Sequence, residues 1–240
     1  MHQKVRKAVI PAAGLGTRVL PITKSMPKEM LPIVDKPAIQ YIVEEAVRSG
    51  ITDILIITNR GKEILEDHFD HSIELEERLA QSGKTEILRQ VQEISSLANL
   101  YFIRQKETRG LGHAVGRARS FVGNEPFAVL YGDDVIIGED PACGQLCRAY
   151  EEFGLGVVGI KEVTPEQIVR YSSLKVAPLR DNLYRVTDMI EKPSKDKIMS
   201  LYSILGRCVL TPDIFDILDN TAPGAGGEIQ LTDAMCAMAR

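Results

Sequence analysis

Two cations stand beside a glycine turn near the start of this sequence: Arg18, closing Gly14-Leu15-Gly16-Thr17-Arg18, and Lys28, in Pro27-Lys28-Glu29-Met30. Glycines let a backbone come close to a ligand and leave N–H groups to meet oxygen atoms. With two cations at the carboxyl end of a strand, such a turn suits a polyphosphate. A plain glycine turn with two solvated cations is the alternative for this motif alone. Two other phosphate motifs are excluded. The dinucleotide fingerprint needs a third glycine where Val19 stands, and no Walker A run is present. Pro21, Pro27, Pro32 and Pro37 also keep this stretch non-helical almost to Ile39.

Three further motifs carry chemistry. Tyr131-Gly132-Asp133-Asp134 follows an apolar run and puts Asp133 where a carboxylate can hold Mg²⁺, which prefers a few hard oxygens together with substrate phosphates. Taken alone, Gly-Asp-Asp is equally a turn. Glu191-Lys192-Pro193 offers an acid for paired sugar hydroxyls and a cation for a phosphate; a surface turn is the alternative. Gly226-Gly227-Glu228-Ile229-Gln230 runs into Leu231-Thr232-Asp233, which also reads as an acid-rich helix start. Cys143 and Cys147 could share a helix face, but no second ligand pair lies near them. With Cys208 and Cys236 they read as reduced thiols. His68 and His71 fit an exposed helix end better than a metal pair.

The elements that must position these residues alternate. Apolar runs at residues 7–13, 53–58, 100–104, 127–131 and 155–160 read as strands. Between them, helical spacing or composition covers 39–47, 63–69, the polar stretch 73–97, 112–121 and 145–153. A strand, loop, helix and strand over the first sixty residues make a βαβ unit, and the whole predicts an open, doubly wound α/β sheet. Residues 173–176, 185–190 and 203–210 predict shorter strands in a less regular part.

Composition bounds the partners. The chain has 240 residues, 44% hydrophobic and 26% charged, enough for one sizeable core. A net charge of −4 argues against nucleic acid as the main partner. No apolar run approaches the ~20 residues of a membrane span. The N-terminal apolar run breaks at Pro11 and Gly14, too short for a signal-peptide core, so a cytoplasmic protein is expected.

The order of the motifs is more specific than any one of them. AAGLGTR, PKEMLPIVDKPAIQY, RGLGHAV, Gly132-Asp133-Asp134, Glu191-Lys192-Pro193 and GAGGEIQLTDA resemble the sugar-nucleotidyltransferase superfamily. Within it, they look like the bacterial uridylyltransferases that act on UTP and glucose 1-phosphate. The similarity runs from about Lys7 to the end of the chain. It implies a Rossmann-like fold: a mixed, mainly parallel central sheet with helices on both faces and a smaller sugar-side flap. It also implies one domain over 1–240, with a nucleotide-binding part at 1–140 and a sugar-binding part at 155–240.

The resemblance also implies roles for individual residues. Ala13 and Gly14 would meet the uracil through their backbone, with Gln105 and Gly110 at its other edges and Gly16 and Thr17 in the same turn. Arg18 and Lys28 would hold the triphosphate, and Asp133 would carry Mg²⁺. Glu191 would bind glucose hydroxyls and Lys192 the sugar phosphate, with Glu228 and Gln230 near the sugar. A homo-oligomer, dimer or tetramer, is also implied.

Three departures from the family pattern stand out. Ser172 replaces a glycine that normally approaches the sugar, so its backbone N–H is the group expected there. Residues 200–204 lack the family's Asn. The sequence ends at Arg240, before a late D-x-G-x-K-x-G segment whose Asp is a second Mg²⁺ ligand in the family. The rival expectations are a degenerate or shortened paralogue that binds UTP or a UDP-sugar with little catalysis, and a uridylyltransferase for another hexose 1-phosphate.

Overall fold

The structure, a computed structural model, describes residues 2–239. Its strands and helices follow one another as β1 (Lys7–Pro11), β2 (Pro32–Ile33), β3 (Lys36–Pro37), α1 (Ala38–Arg48), β4 (Asp53–Thr58), α2 (Ile64–Phe69), α3 (Ile73–Gln81) and α4 (Thr85–Ser95). Next come β5 (Asn99–Arg104), α5 (Leu111–Gly116), α6 (Arg119–Val122), β6 (Phe127–Leu130) and α7 (Ala142–Phe153). The last are β7 (Val157–Glu162), α8 (Pro165–Ile168), β8 (Ser172–Arg180), β9 (Leu183–Glu191), β10 (Tyr202–Leu210), α9 (Ile214–Asp219) and α10 (Leu231–Ala239).

Six strands form the central sheet in the order β5-β4-β1-β6-β10-β7. β5, β4, β1 and β6 pair in parallel, and β10 runs antiparallel between β6 and β7. The apolar runs bury both faces, because a strand's side chains alternate. Val9, Leu55, Ile57, Phe127, Val129 and Cys208 pack on one side with α5, α6, α9 and α10. Ala8, Ile10, Ile54, Ile56, Ala128 and Leu130 pack on the other with α1, α2 and α7. The mixed, mainly parallel sheet covered on both faces is the fold expected from the resemblance.

Three local expectations are corrected. The polar stretch 73–97 is two helices. At its break Gly83 N–H bonds Ala80 O and Lys84 N–H bonds Leu79 O, the closure that ends a helix at glycine. Residues 112–121 likewise divide into α5 and α6, with Arg117 and Ala118 between them. The third strand of the supposedly irregular part, β10, lies inside the central sheet and makes it mixed. The other two, β8 and β9, are nine residues each and form a separate antiparallel hairpin.

Candidate active site

β1, β4, β5 and β6 are parallel, so their carboxyl ends open on one edge of the sheet. The glycine turn, Asn59, Gln105 and Asp133 follow those strands and share one crevice, where doubly wound sheets bind ligands. The turn is held from behind. Asn59 Nδ2 donates to Ala13 O and Lys62 Nζ to Ala12 O, each at 2.5 Å. Gly16 takes φ 68°, a left-handed conformation open to glycine at little cost, and its carbonyl accepts from Thr23 Oγ1 at 2.8 Å.

Lys28 reaches back over this turn. A Cβ on Gly14 would stand 3.8 Å from Lys28 Nζ, and that amine is 2.5 Å from Asp133 Oδ2. The neighbour of Lys28, Glu29, is wholly buried and paired with Lys62 Nζ at 2.8 Å. Burial pushes the Glu29 carboxyl up and the Lys62 amine down from their ordinary values, each opposed by its partner. Glu29 Oε1 has no hydrogen-bond partner among the described residues. The sequence reading missed this pair. Glu29 lies inside the Pro27-Lys28-Glu29-Met30 motif, and no local spacing ties it to Lys62.

At the opposite wall two distant motifs are zipped together. Gly112 N–H donates to Ile229 O at 2.8 Å, and Ile229 N–H donates to Arg109 O at 2.8 Å. Gly110 has φ 105°, and a Cβ there would lie 2.7 Å from both Glu228 Cβ and Ile229 O, so only glycine fits. Gln105 is buried beside it. Its Nε2 is 3.3 Å from Gly110 O and 2.8 Å from His113 Nδ1.

The third part of the crevice is built by the end of β9. Glu191 is partly buried and accepts from Thr232 Oγ1 of α10 at 2.8 Å. Burial pushes its carboxyl up from the usual range, while Thr232, Lys192 and Arg18 oppose that rise. Arg18, from the glycine turn, is thus among the charges that act on Glu191 at the end of β9. Lys192 is exposed and held at φ 46° by its N–H, which donates to Tyr171 O at 2.7 Å. A side chain kept in that region marks a site where backbone strain is tolerated for position. Gln230 is buried, and its Nε2 donates to Ala225 O at 2.8 Å and meets Glu228 Oε2 at 3.4 Å.

Ser172 differs from expectation. It is buried, its N–H donates to Ser203 Oγ at 3.3 Å, and its hydroxyl accepts from Ile204 N–H at 3.0 Å. The N–H expected to meet a sugar is here engaged with β10, and the Ser172 hydroxyl joins the two strands.

Beneath the Asp133 turn lies a buried ion pair that the sequence did not suggest. Arg207 and Glu45 are 1% and 4% exposed, and Arg207 Nη2 is 2.7 Å from Glu45 Oε2. The same Nη2 donates to Asp134 O at 2.6 Å, and Glu45 Oε1 accepts from Cys143 N–H at 3.0 Å. This pair ties the loop after β6 to α1, α7 and β10.

Among the described residues no three His, Cys, Asp or Glu side chains group as a metal site. Cys143 and Cys147 are buried in α7. His68 meets Gln40 at 3.0 Å and His71 meets Glu76 at 2.9 Å. Asp133 is half-exposed in the crevice, a single hard oxygen donor beside a cation. That fits a divalent ion whose remaining ligands come from substrate phosphates and water. No helix among the described residues is long and apolar enough to cross a membrane.

Comparison with known proteins is consistent with this geometry. A family model described as nucleotidyl transferase matches residues 7–240. The UTP–glucose-1-phosphate uridylyltransferase YngB of Bacillus subtilis is 57% identical over 98% of this chain and 79% of its own length. A second Bacillus subtilis protein, named UTP–glucose-1-phosphate uridylyltransferase, is 54% identical over 97% of this chain and 80% of its own. A crystal structure of UDP-glucose pyrophosphorylase complexed with UDP-glucose superposes with a TM-score of 0.89. It is 43% identical, covering 98% of this chain and 87% of that one. The UTP-bound enzyme from Acinetobacter baumannii superposes at 0.88 with 36% identity, covering 97% and 82%.

Proposed function

The chain belongs to the nucleotidyl transferase family, and on that premise we propose that it transfers UMP from UTP to glucose 1-phosphate, giving UDP-glucose and pyrophosphate. The observation that carries this reading is the convergence of Arg18, Lys28, Asp133 and the adjacent Glu191 and Lys192 on one crevice from four separate stretches of chain. The nucleotide part is 1–140 and the sugar part 155–240, and the protein works in the cytosol.

The chemistry follows from charge. A phosphate oxygen of glucose 1-phosphate forms a bond to the α-phosphorus of UTP. The bond from that phosphorus to the bridging oxygen breaks, and pyrophosphate leaves with the electron pair. Two polyanions repel, so the protein must neutralise and align them, and little covalent work remains. The glycine turn offers N–H groups, and Lys28 and Arg18 hold the triphosphate. The Lys28–Asp133 contact is exchanged when phosphate arrives. Magnesium, held by Asp133, supplies positive charge to the phosphates when bound. Glu191 takes sugar hydroxyls and Lys192 the sugar phosphate, with Glu228 and Gln230 on the sugar's far side. Ala13, Gly14, Gly110 and Gln105 surround the base. Sugar-dependent pyrophosphate release from UTP and Mg²⁺ tests the proposal. Release that is absent, or that does not depend on the sugar phosphate, would refute it.

Glu191 gives a pH prediction. Its raised pKa means that it takes up a proton at a higher pH than an ordinary glutamate, and a protonated carboxyl accepts sugar hydroxyls less well. The KM for glucose 1-phosphate should rise as pH falls through that value, with kcat less affected. Phosphate itself titrates near ~6, so the control is Glu191→Gln, which should show a higher KM with a flatter pH profile. An identical profile in both proteins would remove Glu191 from the sugar site.

A further inference from the structure

Gln105 and His113 form a contact that the motifs alone do not explain. Gly110 O can only accept, so the group facing it at 3.3 Å is the Gln105 amide nitrogen, which fixes the carboxamide's orientation. The same nitrogen is 2.8 Å from His113 Nδ1, which must then be unprotonated and accept. Burial pushes the His113 imidazole down from its usual range. Arg109 and Arg117 add to that effect, against the opposing Glu107, and the shift favours the neutral ring that the geometry requires. Both amide hydrogens of Gln105 are thereby engaged, and its Oε1 meets no described residue.

We infer that His113 is a specificity-determining positioning residue: by accepting at Nδ1, it turns the Gln105 carbonyl toward the base, so the crevice selects pyrimidines with an N–H at that edge. Uracil and thymine carry N3–H and can donate to Oε1. Cytosine presents a bare N3, which would face the carbonyl oxygen lone pair to lone pair. Without an acceptor at position 113 the carboxamide keeps only its longer 3.3 Å contact to Gly110 O, and a flip that lets Nε2 donate to cytosine N3 costs less. The inference rests on the proposed placement of the base at Gln105.

The test compares Kd for UTP, dTTP and CTP in the wild-type protein, His113→Leu and His113→Asn, each checked by its melting temperature. Leucine removes the acceptor, whereas the Oδ1 of asparagine takes the place of Nδ1. In His113→Leu, UTP and dTTP should weaken together by roughly tenfold, the worth of one hydrogen bond, with CTP unchanged or tighter. In His113→Asn the preference for UTP over CTP should return. Equal weakening of UTP and CTP, or an unchanged ratio in the leucine variant, would overturn the inference while leaving the enzyme's function intact. A wild-type protein that binds CTP as well as UTP would overturn the placement of the base itself.

Discussion

Lys192→Ala is expected to lower kcat by roughly two to three orders of magnitude, the cost of removing one charged donor from a transferring group. The melting temperature should move by no more than about 2 °C, because surface substitutions without buried partners stay near ±0.5 kcal/mol. The backbone conformation at φ 46° is strained for any side chain bearing a Cβ, so lysine and alanine incur the same strain. The N–H bond to Tyr171 O is also kept, since it belongs to the backbone. What is lost is the amine, whose charge acts on Glu191 at the end of β9. Lys192→Arg keeps the charge but not the compact ammonium, so it should recover activity only in part. Thermal melting and steady-state kinetics on the same samples check the prediction. A folded alanine variant with unchanged kcat would show that Lys192 does not act on the sugar phosphate.

Glu45→Gln should be the most damaging substitution to the fold, at about 3–5 kcal/mol, because it leaves the buried Arg207 guanidinium without its counter-charge. In a protein of this size that lowers the melting temperature by on the order of 10 °C. Activity should fall as well, since Arg207 Nη2 holds Asp134 O and so the loop that carries Asp133. A double variant, Glu45→Met with Arg207→Leu, separates the two effects. Removing both charges should restore much of the stability, while the loop stays unanchored and turnover stays low. Full turnover in the restored double variant would show that the ion pair serves stability alone.

These two cases mark what the sequence discloses. Gly14 to Arg18, Lys28, Asp133 and Lys192 stood out in the sequence as modest motifs, and their order along the chain, more than any one spacing, tied them to a common site. The parallel strands were legible too, since β4 and β6 are apolar runs buried on both faces. Residues that meet across the fold were not. Glu45 looks like a polar break in an amphipathic helix, and Arg207 like a flaw in β10, until antiparallel pairing of β10 with β6 brings them together. Glu29 and Lys62 escaped notice for the same reason. β8 and β9 read as shorter than they are because only their inner residues, such as Leu174 and Met189, are buried. Ser172 stands where the family pattern has a glycine, and its added hydroxyl finds partners in β10 that the sequence could not show.

The proposed reaction is a direct displacement between two phosphates aligned in the crevice, with no side chain becoming covalently attached to the nucleotide. The most direct measurement is the stereochemical course at the α-phosphorus, using a single diastereomer of UTP with sulfur in place of one α-phosphate oxygen. One in-line displacement by glucose 1-phosphate predicts UDP-glucose of inverted configuration at phosphorus. Retained configuration would require two displacements and a uridylylated residue in the crevice, and would contradict the account.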